Sequence, residues 1–208
     1  MTTKLTLYNA AIRKLGHERL ASLAEASTAR YALDDAYDET LGYCLEQGFW
    51  NFAMRAVQID SSASVTPTFG YTHAFAKPAD FIRLYAMSAE ETLRTALTDF
   101  VDEPNYWFAN QAPLFVKYVS DDAAYGRDLS IWPATFANYV ALRLAAETCR
   151  RITGSAPSED LRREEKRAKI DAASKDAMNE SAGVLPGGSW VRSRGSGANA
   201  SRWDRTAV

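Results

Sequence analysis

The chain has 208 residues, 47% of them hydrophobic and 24% charged, which suits one domain with a real core plus appendages. A formal charge of -2 gives no general pull towards nucleic acid or an anionic membrane, and no apolar run approaches the ~18 residues needed to cross a bilayer. Met-Thr-Thr-Lys at the start lacks the apolar core of a signal peptide, and two cysteines without a close pair suggest neither a disulfide framework nor a zinc site. A reducing cytoplasm is the compartment expected.

Leu7, Ala11, Ile12 and Leu15 recur at helical spacing, and Gly16 stands where a helix C-terminus wants it, predicting a first helix over 5–15. Residues 17–26 read as a connector. Ser27 or Thr28 can cap a second helix with an apolar face of Ala29, Leu33, Ala36, Tyr37, Leu41, Cys44 and Leu45, which Gly48 ends. There a helical pattern gives way to a strand-like one, and the junction carries Phe49, Trp50 and Phe52. Aromatics bring the largest buried area per side chain, so these three are expected to form an interdomain hinge pinning the helical layer to the sheet layer.

Residues 52–59 favour strand, 61–69 a polar loop, and 71–76 the partner strand. Lys77-Pro78-Ala79-Asp80 breaks that strand and leads into a further apolar one over 81–87. Residues 102–112 read as a loop holding Trp107 and Phe108, whereas 114–119 is the clearest strand in the chain. Pro133 suits the first turn of a third helix reaching about residue 152, with Phe136, Val140, Leu144 and Ala145 on one face. Ser158 opens a charged fourth helix whose thin stripe is Leu161, Ala168, Ala172, Ala173, Ala177 and Met178. Two readings stay open for it: a solvated face laced with i,i+4 pairs, or a helix lying against a neighbouring subunit.

The fold class expected is α+β. Helical segments 1–50 and 130–182 form a helical bundle, 51–129 a central β-rich insertion, and 183–208 a flexible tail. That tail holds four arginines and one aspartate on a Gly/Ser chain. Trp190, Arg192, Arg194, Arg202, Trp203 and Arg205 are residue types that dominate binding hot spots, so docking on a partner is expected of them, the alternatives being a solubilising tail or a weak nucleic-acid contact through arginine.

Motifs for chemistry are sparse. His17 and His73 have no Cys, Asp or Glu beside them at metal-ligand spacing, and Cys44 and Cys149 fall among apolar neighbours as small hydrophobes. P-loop, G-x-G-x-x-G and G-x-S-x-G patterns are missing. The loop acids Asp99, Asp102, Glu103, Asp121, Asp122 and Asp128 would serve a glycosidase only if two of them faced each other across a cleft. No catalytic residue, cofactor or metal is therefore expected.

Arg13-Lys14-Leu15-Gly16 closes the first helix, and Phe49-Trp50-Asn51-Phe52-Ala53-Met54-Arg55-Ala56 follows the second. Then come Tyr71 and Phe75, the segment Lys77-Pro78-Ala79-Asp80-Phe81-Ile82-Arg83-Leu84, the strand over 114–119, and Trp132-Pro133-Ala134-Thr135-Phe136 opening a helix. In order and spacing, over roughly residues 5–152, this resembles the tail tubular protein A family of short-tailed bacteriophages, the head-to-tail adaptors. The resemblance implies a virion structural protein, made in the host bacterial cytoplasm. It would form a homo-oligomeric ring of about twelve copies between the portal protein and the tail nozzle, a tail tubular protein B-like partner. Double-stranded DNA would pass through the lumen without specific binding, which a slightly acidic charge suits because a basic lumen would retain phosphates. Two other readings compete: a virion-associated cell-wall or polysaccharide hydrolase, and a small-terminase-like nucleic-acid-binding subunit.

Overall fold

The computed structural model describes residues 2–67 and 70–178. It is a mixed α+β protein. The elements are α1 (Lys4–Lys14), α2 (Thr28–Glu46), a 3-10 turn at Asn51–Ala53, β1 (Met54–Ile59), β2 (His73–Ala76), β3 (Phe81–Ser88), β4 (Phe100–Asp102), β5 (Tyr106–Ala109), β6 (Leu114–Ser120), α3 (Ala134–Thr153) and α4 (Glu159–Ala177). The 183–208 segment lies outside the described residues.

Local chemistry sets the helix ends. Thr3 and Thr6 form a reciprocal capping box on α1, and the Ser27 hydroxyl, not that of Thr28, caps α2 by accepting from the Arg30 amide. Ser158 does the same for α4 through the Leu161 amide at 3.2 Å. Gly154, at φ 77°, ends α3 in a left-handed turn that a residue with a Cβ rarely adopts. α3 packs against all three other helices, and its buried Phe136, Tyr139, Val140, Leu144 and Ala145 meet Leu7, Ile12, Leu33, Leu41 and Leu45 in one core.

The strands form two antiparallel three-stranded sheets, ordered β1-β6-β3 and β2-β5-β4. Two sequence-based expectations are corrected here. The partner of β1 is β6, with Met54 opposite Val119 and Ile59 opposite Leu114, and not the 71–76 segment. β6 takes the central place because both of its faces are apolar, as a strand covered on two sides requires. The supposed loop around Trp107 is strand β5, the centre of the second sheet. Its alternation was legible in period two: Trp107 and Ala109 are buried, while Tyr106 and Phe108 stack on the other face at 6.4 Å.

Leu114, Val116 and Tyr118 of β6 share a second core with Phe75, Met87 and Trp107, so the two sheets bury one common face. Val119, one residue on, belongs to the helical core instead. Strand alternation at the end of β6 thus serves both cores, and helices and sheets form one compact unit ending at Ala177. No described helix is long and apolar enough to cross a membrane.

Candidate functional site

The junction after α2 is built from Gly48 outward. A Cβ at this position would sit 2.8 Å from the Trp50 ring, so glycine lets the indole fold back over the helix end. Trp50 is 1% exposed and donates its Nε1–H to the Cys44 carbonyl at 3.0 Å. Its ring meets Phe136 of α3 edge-on at 4.8 Å, and Phe52 reaches the same Phe136 at 4.7 Å. Trp132 closes the cluster, edge-on to Phe136 at 5.0 Å, with its Nε1–H on the Gly126 carbonyl. Phe49 goes elsewhere. It is 38% exposed, lies edge-on to Tyr85 of β3 at 5.2 Å and is covered by the Arg83 guanidinium at 4.2 Å. Arg83 also donates to the Glu46 carbonyl at the end of α2. Trp50 and Phe52 therefore pack inside the helical core, and Phe49 ties α2 to β3 at the surface.

A second node forms at the Lys77-Pro78-Ala79-Asp80 turn. The Asp80 carboxylate accepts from the Ser120 hydroxyl, from Arg55 Nη1 at 2.9 Å and from the Tyr118 hydroxyl at 3.1 Å. The Asp80 carbonyl accepts from the Asp121 amide at 3.0 Å. One side chain thus joins β1, β6 and the turn before β3. Partial burial works against its charge, but the bonds from Ser120 and Arg55 outweigh that and hold the carboxyl below its ordinary value. Burial first, and then the bond to Asp80, push the Tyr118 phenol up. Lys77 links this turn to the second sheet by pairing with Asp102 while lying over the Phe81 and Trp107 rings.

The carboxylates of Asp99, Asp102, Asp121, Asp122 and Asp128 have structural tasks, whereas Glu103 contributes through its backbone. Asp99 accepts from the Tyr71 hydroxyl, Asp102 pairs with Lys77, and the Glu103 amide closes the β4–β5 turn on the Tyr106 carbonyl. Asp121 pairs with Arg127, which also holds Asp38 of α2; Asp122 and Asp128 accept the amides of Ala124 and Ser130 in tight turns. Among the described residues no group of three or more His, Cys, Asp or Glu side chains could hold a metal ion. His17 is exposed, and His73 lies 6.2 Å from the Phe75 ring. Cys44 and Cys149 are both buried, and burial pushes the Cys44 thiol up to about 12.

Asp80 stood in a quoted motif but read only as a strand breaker; its Asp following Pro-Ala was the one local signal available. Asp176 and the Arg127–Asp38 pair carried none, because the partners lie far apart in sequence. Asp176 near the end of α4 accepts from the Asn51 amide at 2.9 Å, and the Asn51 side-chain amide donates to the Asp176 carbonyl. Trp190, Arg192, Arg194, Arg202, Trp203 and Arg205 lie outside the described residues. No family model and no curated protein matches the chain.

Proposed function

We propose that the protein is a structural adaptor of a short-tailed phage virion: a helical bundle carrying a central β-rich insertion and a flexible C-terminal tail. About twelve copies would form a closed ring between portal and tail nozzle, with DNA passing through the lumen. The observation that carries this reading is the fate of the two most distinctive sequence motifs. Trp50-Asn51-Phe52-Ala53 and Pro78-Ala79-Asp80-Phe81-Ile82-Arg83-Leu84 both fold into joints: Trp50 and Phe52 meet Phe136 of α3 in the helical core, Asp80 bonds β1 to β6 within one sheet, and Arg83 ties β3 to the end of α2. A protein whose work is to transmit load between two rings needs stiff joints of this kind, not a cleft. Its mechanism is interfacial: the helices pack laterally between copies, the β loops such as 61–67 face the nozzle, and the Trp- and Arg-bearing tail reaches the portal.

The test is to mix the protein with the portal ring encoded in the same genome, with and without residues 183–208. Mass and end-on electron-microscope views would be recorded. A discrete ring stacked on the portal, lost on truncation, is the expected result. Failure to associate with an intact portal would remove the adaptor reading.

A further inference from the structure

An open groove of about 710 Å³ runs between α3 and α4 beside Tyr43 of α2. Five cations line it: Arg143, Arg150, Arg162, Lys166 and Lys169. Only two carboxylates do, Glu147 and Glu165. That is a marked local excess in a chain whose formal charge is -2. Arg143 alone occupies both acids, through Nη2 to Glu147 and Nη1 to Glu165. Lys169 donates to the Gln47 amide oxygen at 2.7 Å. Arg150, Arg162 and Lys166 are exposed and have no carboxylate partner among the described residues. Between these cations the groove is lined by Tyr139, Ala146, Ala156 and Pro157, which offer it apolar surface.

We propose that this groove docks an acidic peptide segment with an apolar anchor, supplied by another protein. The anchor would lie along Ala146, Ala156 and Pro157 while its flanking carboxylates meet Arg150, Arg162 and Lys166, the arrangement of an apolar centre and charged rim that protein interfaces favour. A nucleic-acid backbone suits the groove less well. The apolar lining of Ala146, Ala156 and Pro157 gives a phosphate backbone nothing to bind, and one face of the Tyr43 ring is already taken by Arg143 at 4.3 Å. A second copy is also a poorer occupant. In the densest acidic stretch of this chain, 34–39 along α2, Asp34 is already paired with Lys4 and Arg30, Asp35 with Arg151 and Asp38 with Arg127, which leaves only Glu39 of that stretch without an ion pair among the described residues. The inference stands on the groove alone and is independent of ring formation.

The experiment uses the full chain and three fluorescein-labelled probes in anisotropy titrations: a short Glu/Asp-rich peptide with one Leu and one Phe, its Gln/Asn counterpart, and a short DNA duplex. Binding of the acidic peptide, at least about tenfold tighter than its neutral counterpart and weakened about tenfold by Arg162→Glu with Lys166→Glu, is expected. Both positions are exposed, and an unchanged circular dichroism spectrum would show that the variant folds. Equal binding of the two peptides, or binding of neither, overturns the proposal. So does duplex binding that is tighter and lost in the same variant, or self-association seen by ultracentrifugation that the charge reversal abolishes.

Discussion

Asp80 shows how one side chain can set the acid limit of a fold. Three donors converge on its carboxylate, and the Asp80 side chain is only 15% exposed. Because its folded pKa is held below the unfolded value, near 3.8, the native state binds that proton less readily than the unfolded chain. The stabilisation is fully present above that value and is lost as pH falls through the lower native one. Asp34 and Asp128 are shifted in the same direction, so the wild type loses stability in acid from several groups at once. Asp80→Asn is expected to cost about 2–3 kcal/mol at pH 7, since it removes a charged acceptor from Arg55 and two hydroxyls. Its denaturant-derived stability should also fall less steeply than the wild type's below about pH 4. Parallel curves for the two proteins would show that Asp80 is not among the groups that titrate with unfolding. Gly126 is as exacting for another reason: a Cβ there would meet the Ser120 carbonyl at 2.3 Å, and that backbone cannot yield as a side-chain tip can.

Among the helices, α4 buries the fewest apolar side chains. Leu161, Ala168 and Ala172 are buried in the helical core beneath it, while Ala173, Ala177 and Ile170 remain exposed. Polar links supply the rest of its attachment: Glu164 to Lys14, Glu165 to Arg143, Lys169 to Gln47 and Asp176 to Asn51. Such a helix belongs to the low end of local stability. Asp176→Ala should therefore raise amide exchange in the last two turns of α4 about tenfold, with exchange in α3 unchanged. Uniform acceleration across both helices would mean that the pair opens only as one unit. Ala168 and Ala172 of the alanine stripe dock inside the helix's own unit, while its exposed face carries the i,i+4 pair Asp171–Lys175. Helices, caps and the 114–119 strand were legible because period, Ser and Gly signals are local. Strand partners were not, since β1 pairs with a strand some sixty residues on, and only the two-sided apolar character of β6 hints at its central place. The candidate site divides in the same way. Trp50 and Phe52 could be named from aromatic density at a helix end, but the Asp80–Arg55 and Arg127–Asp38 bonds join segments that no short window of sequence brings together.

At the level of the whole molecule, the adaptor reading puts stability and attachment on different parts of the chain. The contacts described for both apolar cores, the Asp80 node and the Asp176–Asn51 clasp all lie within residues 2–177. Deleting residues 183–208 removes none of these contacts, so the truncated protein should unfold in one transition, with stability within about 0.5 kcal/mol of the full chain. On the adaptor reading the same deletion abolishes association with the portal, because the Trp and Arg side chains that would order on its surface are gone. Calorimetry and portal mixing on one preparation keep these consequences apart. An unchanged melting curve with lost association locates the attachment in the tail. An unchanged curve with retained association moves it to the folded unit, where the α3–α4 groove is the first surface to mutate. A large loss of stability would instead mean that the last residues complete the fold, and portal binding by the truncated chain could then not be read as a docking measurement at all.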